Sequence, residues 1–306
     1  MELMQAEYIS SLPLEQLLAA ANEIRREILG NHIEICGIVN AKSGRCGEDC
    51  KFCAQSAHYA ADVEEYPLLD KEELVNAARA ASENGADRFG IVTSGKGPGR
   101  EEIEKIADSI REIRKDAGIS VCASLGVLDE RSFVILREAG LSRYHHNIET
   151  SESFYPQIVT THDYGQRINT IKNAKKADIE VCSGGIIGMG ETWQDRIDMA
   201  LLLKELEVES VPLNFLVPIK GTPLENAGSI TPLEALRVIA LFRIILKKAS
   251  IKIIAGRESV LKDFQGLMYM AGADGMMVGG YLTIAGRSVE EDRALVEEIK
   301  KLWSEE

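Results

Sequence analysis

The chain reads EICGIVNAKSGRCGEDCKFC over residues 34–53. Residues 34–41 are mostly apolar and are followed by a loop with two glycines, which predicts a buried strand. That loop carries three cysteines, Cys46, Cys50 and Cys53. Active sites of α/β barrels lie at the carboxyl ends of their strands. The segment therefore predicts the first strand of such a barrel and the place of its active site.

Similar apolar runs recur along the chain, with helical patterns between them. The predicted strands cover residues 34–41, 88–93, 120–125, 143–149, 180–187, 210–218, 250–255 and 275–280. Asp70, Asp129 and the pair Thr231-Pro232 have the residue types that begin helices. Eight strands that alternate with helices predict a (β/α)8 TIM-type barrel.

The sequence predicts a single domain over residues 1–306, with an N-terminal helical extension over about residues 1–32. The amphipathic segment 14–29 is an extra helix ahead of the first strand, expected to plug or flank the barrel bottom. An incomplete six-strand barrel with a loose C-terminal region is the alternative. The apolar runs 251–255 and 276–280 favour eight strands.

Composition narrows the possible partners and the compartment. The net charge is −13, which argues against nucleic acid or an anionic membrane as a partner. No signal peptide and no apolar run of membrane-spanning length is found, so we expect a cytoplasmic protein. Six cysteines in a reducing compartment favour metal ligands over disulfides.

The spacing of Cys46, Cys50 and Cys53 suits three corners of an iron–sulfur cube and leaves the fourth iron open. The alternatives are a structural zinc site or a chance cluster, for which His58 is the only local candidate for a further ligand. The spacing resembles the signature of the radical S-adenosylmethionine (SAM) enzymes. That resemblance implies a [4Fe–4S] cluster whose open iron binds SAM and cleaves it to a 5′-deoxyadenosyl radical. It also implies that Phe52 lies beside the adenine.

The other three cysteines, Cys36, Cys122 and Cys182, fall early in predicted strands one, three and five. Alternate strands of a barrel contribute side chains to one interior layer. The three thiols are therefore expected to meet inside the barrel and hold a second cluster, with Arg257 entering after strand seven. The alternative is three unrelated cysteines that behave as small apolar core residues.

Six stretches resemble biotin synthase and follow one another in that family's order. They are residues 42–56, 144–150, 181–191, 211–214, 221–224 and 255–258. The likeness runs from about residue 41 to residue 285. It implies sulfur insertion into dethiobiotin, with an auxiliary iron–sulfur cluster as the sulfur donor. It further implies a reductant such as flavodoxin or ferredoxin, and a homodimer.

One position departs from the family pattern. Biotin synthases usually carry a cysteine on strand two, where this chain has Gly90. Cys122 and Cys182 match the family's other cysteines, and Arg257 is expected to match its arginine ligand. We infer that Cys36, on the neighbouring strand, replaces the missing ligand, so the second cluster is [2Fe–2S] or larger. The alternative role for Arg257 is that of a charge partner.

The resemblance also assigns residues around the substrate. It implies that Asn147 and Asn214 hydrogen-bond the ureido ring of dethiobiotin, since an amide offers both donors and acceptors. Glu149 is expected to contact SAM or substrate, and His145 to share its face of strand four by period-two alternation. The alternative is a polar core layer whose members satisfy one another.

The remaining assignments concern SAM. Arg167 resembles the arginine that meets the SAM carboxylate, although a surface arginine on an amphipathic helix is the alternative. Ser183 and Gly184 are expected to permit close approach of a ligand to the backbone. Ser94 and Gly95 belong to a glycine-rich loop that lacks the spacing of a phosphate-binding loop and is expected to flank SAM.

Two other functions remain open at this stage. A radical SAM lyase, mutase or methylase would hold a second cluster that is not consumed. A cluster scaffold or electron carrier would need neither an open iron nor two asparagines in an interior pocket. Formation of 5′-deoxyadenosine separates the enzymes from the carrier.

Overall fold

A computed structural model describes residues 3–282 and 286–304. Its parallel strands are β1 (Glu34–Lys42), β2 (Arg88–Thr93), β3 (Ser120–Ser124), β4 (Arg143–His145), β5 (Glu180–Cys182), β6 (Gly185–Ile187), β7 (Ser210–Phe215), β8 (Ser250–Ile253) and β9 (Gly275–Met277). Strands that are consecutive in sequence pair with each other, except β5 and β6, and β9 pairs with β1. β5 and β6 both pair with β7, so they occupy one barrel position. The result is a closed eight-position barrel, as predicted.

The pairing of β8 with β9, and of β9 with β1, excludes the six-strand alternative. The predicted strands one to three agree with the structure to within a residue. The fourth is shorter than predicted, because the chain leaves the sheet after His145 and reaches Glu149 with a φ of 70°. The fifth is broken at Ser183 and Gly184, between β5 and β6.

The long barrel helices are α3 (Lys71–Glu83), α4 (Arg100–Asp116), α5 (Glu130–Ala139), α6 (Tyr164–Lys176), α7 (Trp193–Glu205) and α8 (Pro232–Leu246). Helices α9 (Arg257–Leu261), α10 (Leu267–Met270) and α11 (Val289–Ser304) follow them. The predicted helix starts are confirmed, since the side chains of Asp70, Asp129 and Thr231 each accept a hydrogen bond from a backbone N–H in the first turn. No helix in the described ranges is long and apolar enough to cross a membrane.

The N-terminal extension consists of α1 (Leu3–Ser11) and α2 (Leu14–Leu29). Residues 1 and 2 of the predicted extension lie outside the described part of the chain. α2 has the predicted bounds and packs against α8 in the outer layer, so it flanks the barrel. The Arg25 guanidinium lies 3.5 Å from the centre of the Trp303 ring, which ties α2 to the C-terminal helix by a cation–π contact.

Candidate active site

The cysteine loop follows β1, and its shape is held by backbone hydrogen bonds. The Cys46 N–H donates to Gln55 O, the Ala57 N–H donates to Cys46 O, and the Cys53 N–H donates to Cys50 O. This network folds residues 46–57 back on themselves and brings the three thiols to one side. They line a cavity of about 200 Å³, which we call the loop cavity.

Burial determines the charge state of two of these thiols. It raises the pKa of Cys53 to about 11 and that of Cys50 further. Since thiolates are the metal ligands, these side chains stay neutral until bound metal supplies positive charge. Across residues 3–282 and 286–304, no three His, Cys, Asp or Glu side chains converge closely enough to hold one metal ion. Each thiolate of an iron–sulfur cube binds its own iron, so the donors of the loop cavity fit a cluster better than a zinc ion.

Arg167, on α6, is the buried cation of the loop cavity. Its Nε donates to the Tyr155 hydroxyl at 2.7 Å, and its Nη1 donates to Asn147 O at 2.8 Å. The same Nη1 lies 3.4 Å from the Glu149 carboxylate. Only 8% of Arg167 is exposed, so the alternative of a surface arginine is wrong. The structure brings Arg167, Glu149 and the three loop cysteines to one cavity.

Other predicted SAM-side residues divide into two groups. Phe52, Ser94 and Gly95 line the loop cavity, and the Ser94 hydroxyl donates to Gly44 O at 2.8 Å. Ser183 and Gly184 line neither of the cavities described here. A Cβ on Gly184 would lie 2.0 Å from Pro212 O, so this glycine serves strand packing. The expectation that these two residues approach a ligand is corrected accordingly.

A second cavity, of about 330 Å³, occupies the barrel interior, and we call it the barrel cavity. Cys36 of β1, Cys122 of β3 and Cys182 of β5 all line it, as the alternation of barrel layers predicts. Gly90 also lines it and pairs with Cys122 across the sheet. A Cβ on Gly90 would lie 3.0 Å from Ile38 Cγ2, so the Ile38 side chain occupies the space beside this glycine.

Arg257 is not placed among these three thiols. It begins α9, is fully buried, and donates to Asp292 Oδ2 at 2.8 Å and to Gln265 at 2.6 Å. Its Nη2 also contacts Glu258 and the Tyr281 hydroxyl. Tyr281 lines the barrel cavity, whereas Arg257 lies behind it. Arg257 does not line the barrel cavity as predicted, and its ion pairs with Glu258 and Asp292 favour the alternative role of charge partner.

His145, Asn147 and Glu149 line both cavities, although the strand ends at His145. Asn147 Oδ1 accepts from the Gly184 N–H at 3.1 Å, and its Nδ2 donates to Glu149 at 3.3 Å. Asn214 lines the barrel cavity. Its Nδ2 donates to Gly185 O at 3.2 Å, and its Oδ1 accepts from the Ala255 N–H at 3.2 Å. Each amide keeps one N–H and one lone pair free of these bonds. The two side chains are thus held in place and can still receive a ligand.

The two cavities adjoin each other, since seven residues line both of them. The shared residues are Phe52, Val92, Ser124, His145, Asn147, Glu149 and Leu282. The loop thiols line only the loop cavity, the strand thiols line only the barrel cavity, and Asn147 lines both.

Comparisons with known proteins agree with this arrangement. The model of the radical SAM superfamily matches residues 41–203, and that of the biotin and thiamin synthesis associated domain matches residues 212–300. A biotin synthase from Thermotoga neapolitana is 52% identical over 90% of this chain and 99% of its own length. A biotin synthase from Thermotoga petrophila is 49% identical over 98% of this chain and 99% of its own length. The chain belongs to the biotin synthase family. It is therefore a radical SAM enzyme, and its cofactors include a [4Fe–4S] cluster and SAM.

Solved structures support the fold of this family member. Methylornithine synthase superposes with a TM-score of 0.83 at 19% identity, covering 97% of this chain and 91% of the other. The hydrogenase maturase HydG from Carboxydothermus hydrogenoformans also superposes with a TM-score of 0.83 at 19% identity, covering 97% of this chain and 75% of the other. Both confirm the barrel, and at this identity they carry no argument about the substrate.

Sequence reasoning missed the charged floor of the barrel cavity in this biotin synthase family member. Lys252 of β8 and Arg143 of β4 line the cavity, and Glu34 joins them from β1. The Lys252 ammonium lies 3.3 Å from Cys36 Sγ. The signal was present in the sequence, because Lys252 interrupts an apolar run that predicts a buried strand. A lysine in such a position needs a partner inside the barrel.

The floor charges alter the acidity of their neighbours. Burial opposes ionisation of Cys182, but a hydrogen bond to His145 and the charges of His145, Lys252 and Arg143 outweigh it and lower the Cys182 pKa to about 6. Burial dominates at Cys36, whose pKa rises to about 12. Burial also opposes ionisation of Glu34, but Lys252 and Arg143 lower its pKa to about 2. The cavity therefore contains charged groups before any cluster binds.

Proposed function

We propose that this protein converts dethiobiotin to biotin, with an auxiliary iron–sulfur cluster in the barrel cavity as the sulfur donor. The observation that carries the proposal is a pair of adjoining cavities, one lined by three loop thiols and the other by three strand thiols. A radical source and a sulfur source must both reach one substrate, and the seven residues that line both cavities place the two thiol sets on either side of one position.

The loop thiols Cys46, Cys50 and Cys53 hold the [4Fe–4S] cluster. When bound, the cluster and SAM together supply the radical that abstracts hydrogen from the substrate. The protein itself binds and orients the substrate and excludes water from the site. Arg167 and Glu149 form a buried pair that suits the carboxylate and ammonium of SAM, because each offers the opposite charge. Phe52 provides an apolar wall for adenine, and Ser94 and Gly95 close the adjoining side.

Asn147 and Asn214 orient the ureido ring of the substrate. Both amides are fixed by the protein and retain a donor and an acceptor each, which match the N–H and C=O groups of a urea. His145 lies beside them and also bonds Cys182, so it connects the substrate position with the strand thiols. A fixed orientation contributes to rate by holding the reacting atoms in attack geometry.

Cys36, Cys122 and Cys182 hold the auxiliary cluster, which is [2Fe–2S] or larger. Three thiols from three strands face one cavity, and Cys36 takes the place that Gly90 leaves without a ligand. Lys252, not Arg257, is the cation that reaches these thiols. Its ammonium next to Cys36 offsets the negative charge of bound sulfide and thiolate.

We further propose that the chain is one radical SAM barrel domain over residues 1–306, supported by a single main hydrophobic cluster that runs from Ala6 to Ile299. The reductant is of the flavodoxin or ferredoxin class, the protein is cytoplasmic, and two copies form a homodimer. Likeness to the biotin synthase family supports the reductant and the homodimer, and the composition of the sequence supports the compartment.

The test is an anaerobic turnover assay with reconstituted protein, SAM, a strong reductant and dethiobiotin, analysed by mass spectrometry. We expect 5′-deoxyadenosine and biotin in the wild-type reaction. Cys53→Ala is the control for the first product, and Asn147→Ala is the control for coupling to the second. 5′-Deoxyadenosine without biotin would favour a radical SAM lyase, mutase or methylase. Neither product would favour a cluster carrier.

A further inference from the structure

We propose that Glu34 is a positioning residue that gathers Arg88, Arg143 and Lys252 beneath the barrel cavity and so sets the charge that the auxiliary cluster meets. The proposal rests on the presence of that cluster, which belongs to the proposed function. It concerns a residue of this chain that neither the loop signature nor the cysteine pattern includes.

One carboxylate oxygen of Glu34 meets cations from three other strands. Oε1 accepts from Arg143 Nη1 at 2.9 Å and lies 3.1 Å from Arg88 Nε. The same atom contacts Lys252 Nζ. Residues two apart on a strand point to the same face, so Glu34 and Cys36 both point into the barrel. The Cys36 thiol lies 3.7 Å from that oxygen.

Burial makes this carboxylate necessary. The side chains of Lys252 and Arg143 are only 2% and 7% exposed, and buried cations are destabilising unless a counter-charge pairs with them. Glu180 is the second carboxylate at this place and pairs with Arg143 and Arg88, but its side chain is 45% exposed. Within the described ranges, Glu34 is the only carboxylate that forms an ion pair with Lys252.

The consequence for a bound cluster is electrostatic and geometric. Glu34 restrains the Lys252 ammonium beside Cys36 Sγ. Three cations against two carboxylates, of which Glu180 is 45% exposed, also leave an excess of positive charge on the floor of the cavity, which suits an anionic cluster. Net charge near an iron–sulfur cluster is one determinant of its reduction potential. Removal of the Glu34 charge makes the floor more positive, which favours the reduced cluster and raises its potential.

The test compares Glu34→Gln with the matched control Glu180→Gln, each reconstituted anaerobically as the full-length protein. Redox titration followed by absorption and electron paramagnetic resonance gives the potential of the auxiliary cluster, and Mössbauer spectroscopy reports its iron sites. We expect a more positive potential and altered Mössbauer parameters in Glu34→Gln. In Glu180→Gln we expect much smaller changes, because that carboxylate does not touch Lys252 and is screened by solvent.

Two further variants keep the proposal falsifiable if Glu34→Gln does not fold. Lys252→Gln removes the opposite charge and is expected to lower the potential. The double variant Glu34→Gln/Lys252→Gln leaves neither charge unpaired and is expected to return the potential towards the wild-type value. Wild-type potential and spectrum in Glu34→Gln, or in Lys252→Gln, would overturn the proposal. Absence of an auxiliary cluster from wild-type protein would overturn the proposed function and this proposal together. A wild-type cluster whose potential does not respond to these variants would overturn this proposal alone.

Discussion

The loop cavity and the barrel cavity each carry three cysteines, yet they are built in different ways. The loop thiols lie within residues 46–53, and local backbone hydrogen bonds hold them together. The strand thiols lie between residues 36 and 182 and meet only because the barrel closes. A local site is encoded by spacing, whereas the interior site depends on register over the whole sheet.

The two regions also differ in electrostatics. The loop cavity has one buried cation, Arg167, and burial raises the pKa of Cys53 to about 11. The barrel cavity has three cations on its floor, and Cys182 has a pKa lowered to about 6 despite its burial. The surroundings of Cys182 thus favour its thiolate, whereas burial of Cys50 and Cys53 favours their neutral thiols. The barrel cavity is pre-organised for an anionic group.

The largest expected effect concerns the loop. Cys46→Ala or Cys53→Ala should abolish formation of 5′-deoxyadenosine from SAM, because the open iron is lost with its cluster. The fold should survive, since neither side chain is fully buried. Cys50→Ala should also lower the melting temperature slightly, because Cys50 packs in the hydrophobic core. Product analysis with circular dichroism as the folding control measures both. Retained SAM cleavage in any of the three would contradict the assignment.

The next prediction separates Lys252 from Arg257. Lys252→Met should change the absorption spectrum of the auxiliary cluster and leave SAM cleavage intact, because Lys252 touches Cys36. Arg257→Met should instead destabilise the protein by ~3–5 kcal/mol, because the buried Asp292 carboxylate would keep only the long contact of 3.9 Å to Arg287. The double variant Arg257→Met/Asp292→Asn removes both charges of the buried pair and is the control. Loss of the auxiliary spectrum in a folded double variant would restore Arg257 as a ligand.

The smallest expected effect tests the relocation of a ligand from strand two to strand one. Cys36→Ala should lose iron from the barrel cavity, and Gly90→Cys in that background should restore part of it. Neighbouring strands lie about 5 Å apart, so either thiolate can reach the cavity. Rescue should be partial, because a side chain at Gly90 meets Ile38 at 3.0 Å. Gly90→Ala in the same background controls for crowding alone. An unaltered cluster in Cys36→Ala would show that Cys36 is only a core residue.

The sequence alone predicted the barrel, its extra helix and the loop site, because strand periodicity, helix caps and cysteine spacing are local signals. It also predicted that Cys36, Cys122 and Cys182 meet, since alternate strands share a layer. It failed at Arg257, because nothing in the local pattern shows that Asp292 of the C-terminal helix pairs with it. It passed over Lys252 and Glu34, whose meaning depends on which strands are neighbours.

The break at Ser183 and Gly184 was missed for a similar reason. An apolar strand pattern runs through residues 180–187, and the requirement for glycine comes from Pro212 on another strand. Tertiary approach of two backbones leaves no signal in a single sequence beyond the glycine itself. Pairwise contacts between distant elements are thus the part of the site that only the structure supplies.

The measurement that tests the central claim most directly is iron and sulfide analysis with Mössbauer spectroscopy of wild-type protein and of the variant Cys36→Ala/Cys122→Ala/Cys182→Ala, both reconstituted anaerobically. If the protein holds two separate clusters, the triple variant should keep the spectrum of the loop cluster and some uncoupled SAM cleavage. It should lose the second set of iron signals and make no biotin. Unchanged iron content and spectrum in the triple variant would contradict the account, because the barrel cavity would then hold no cluster.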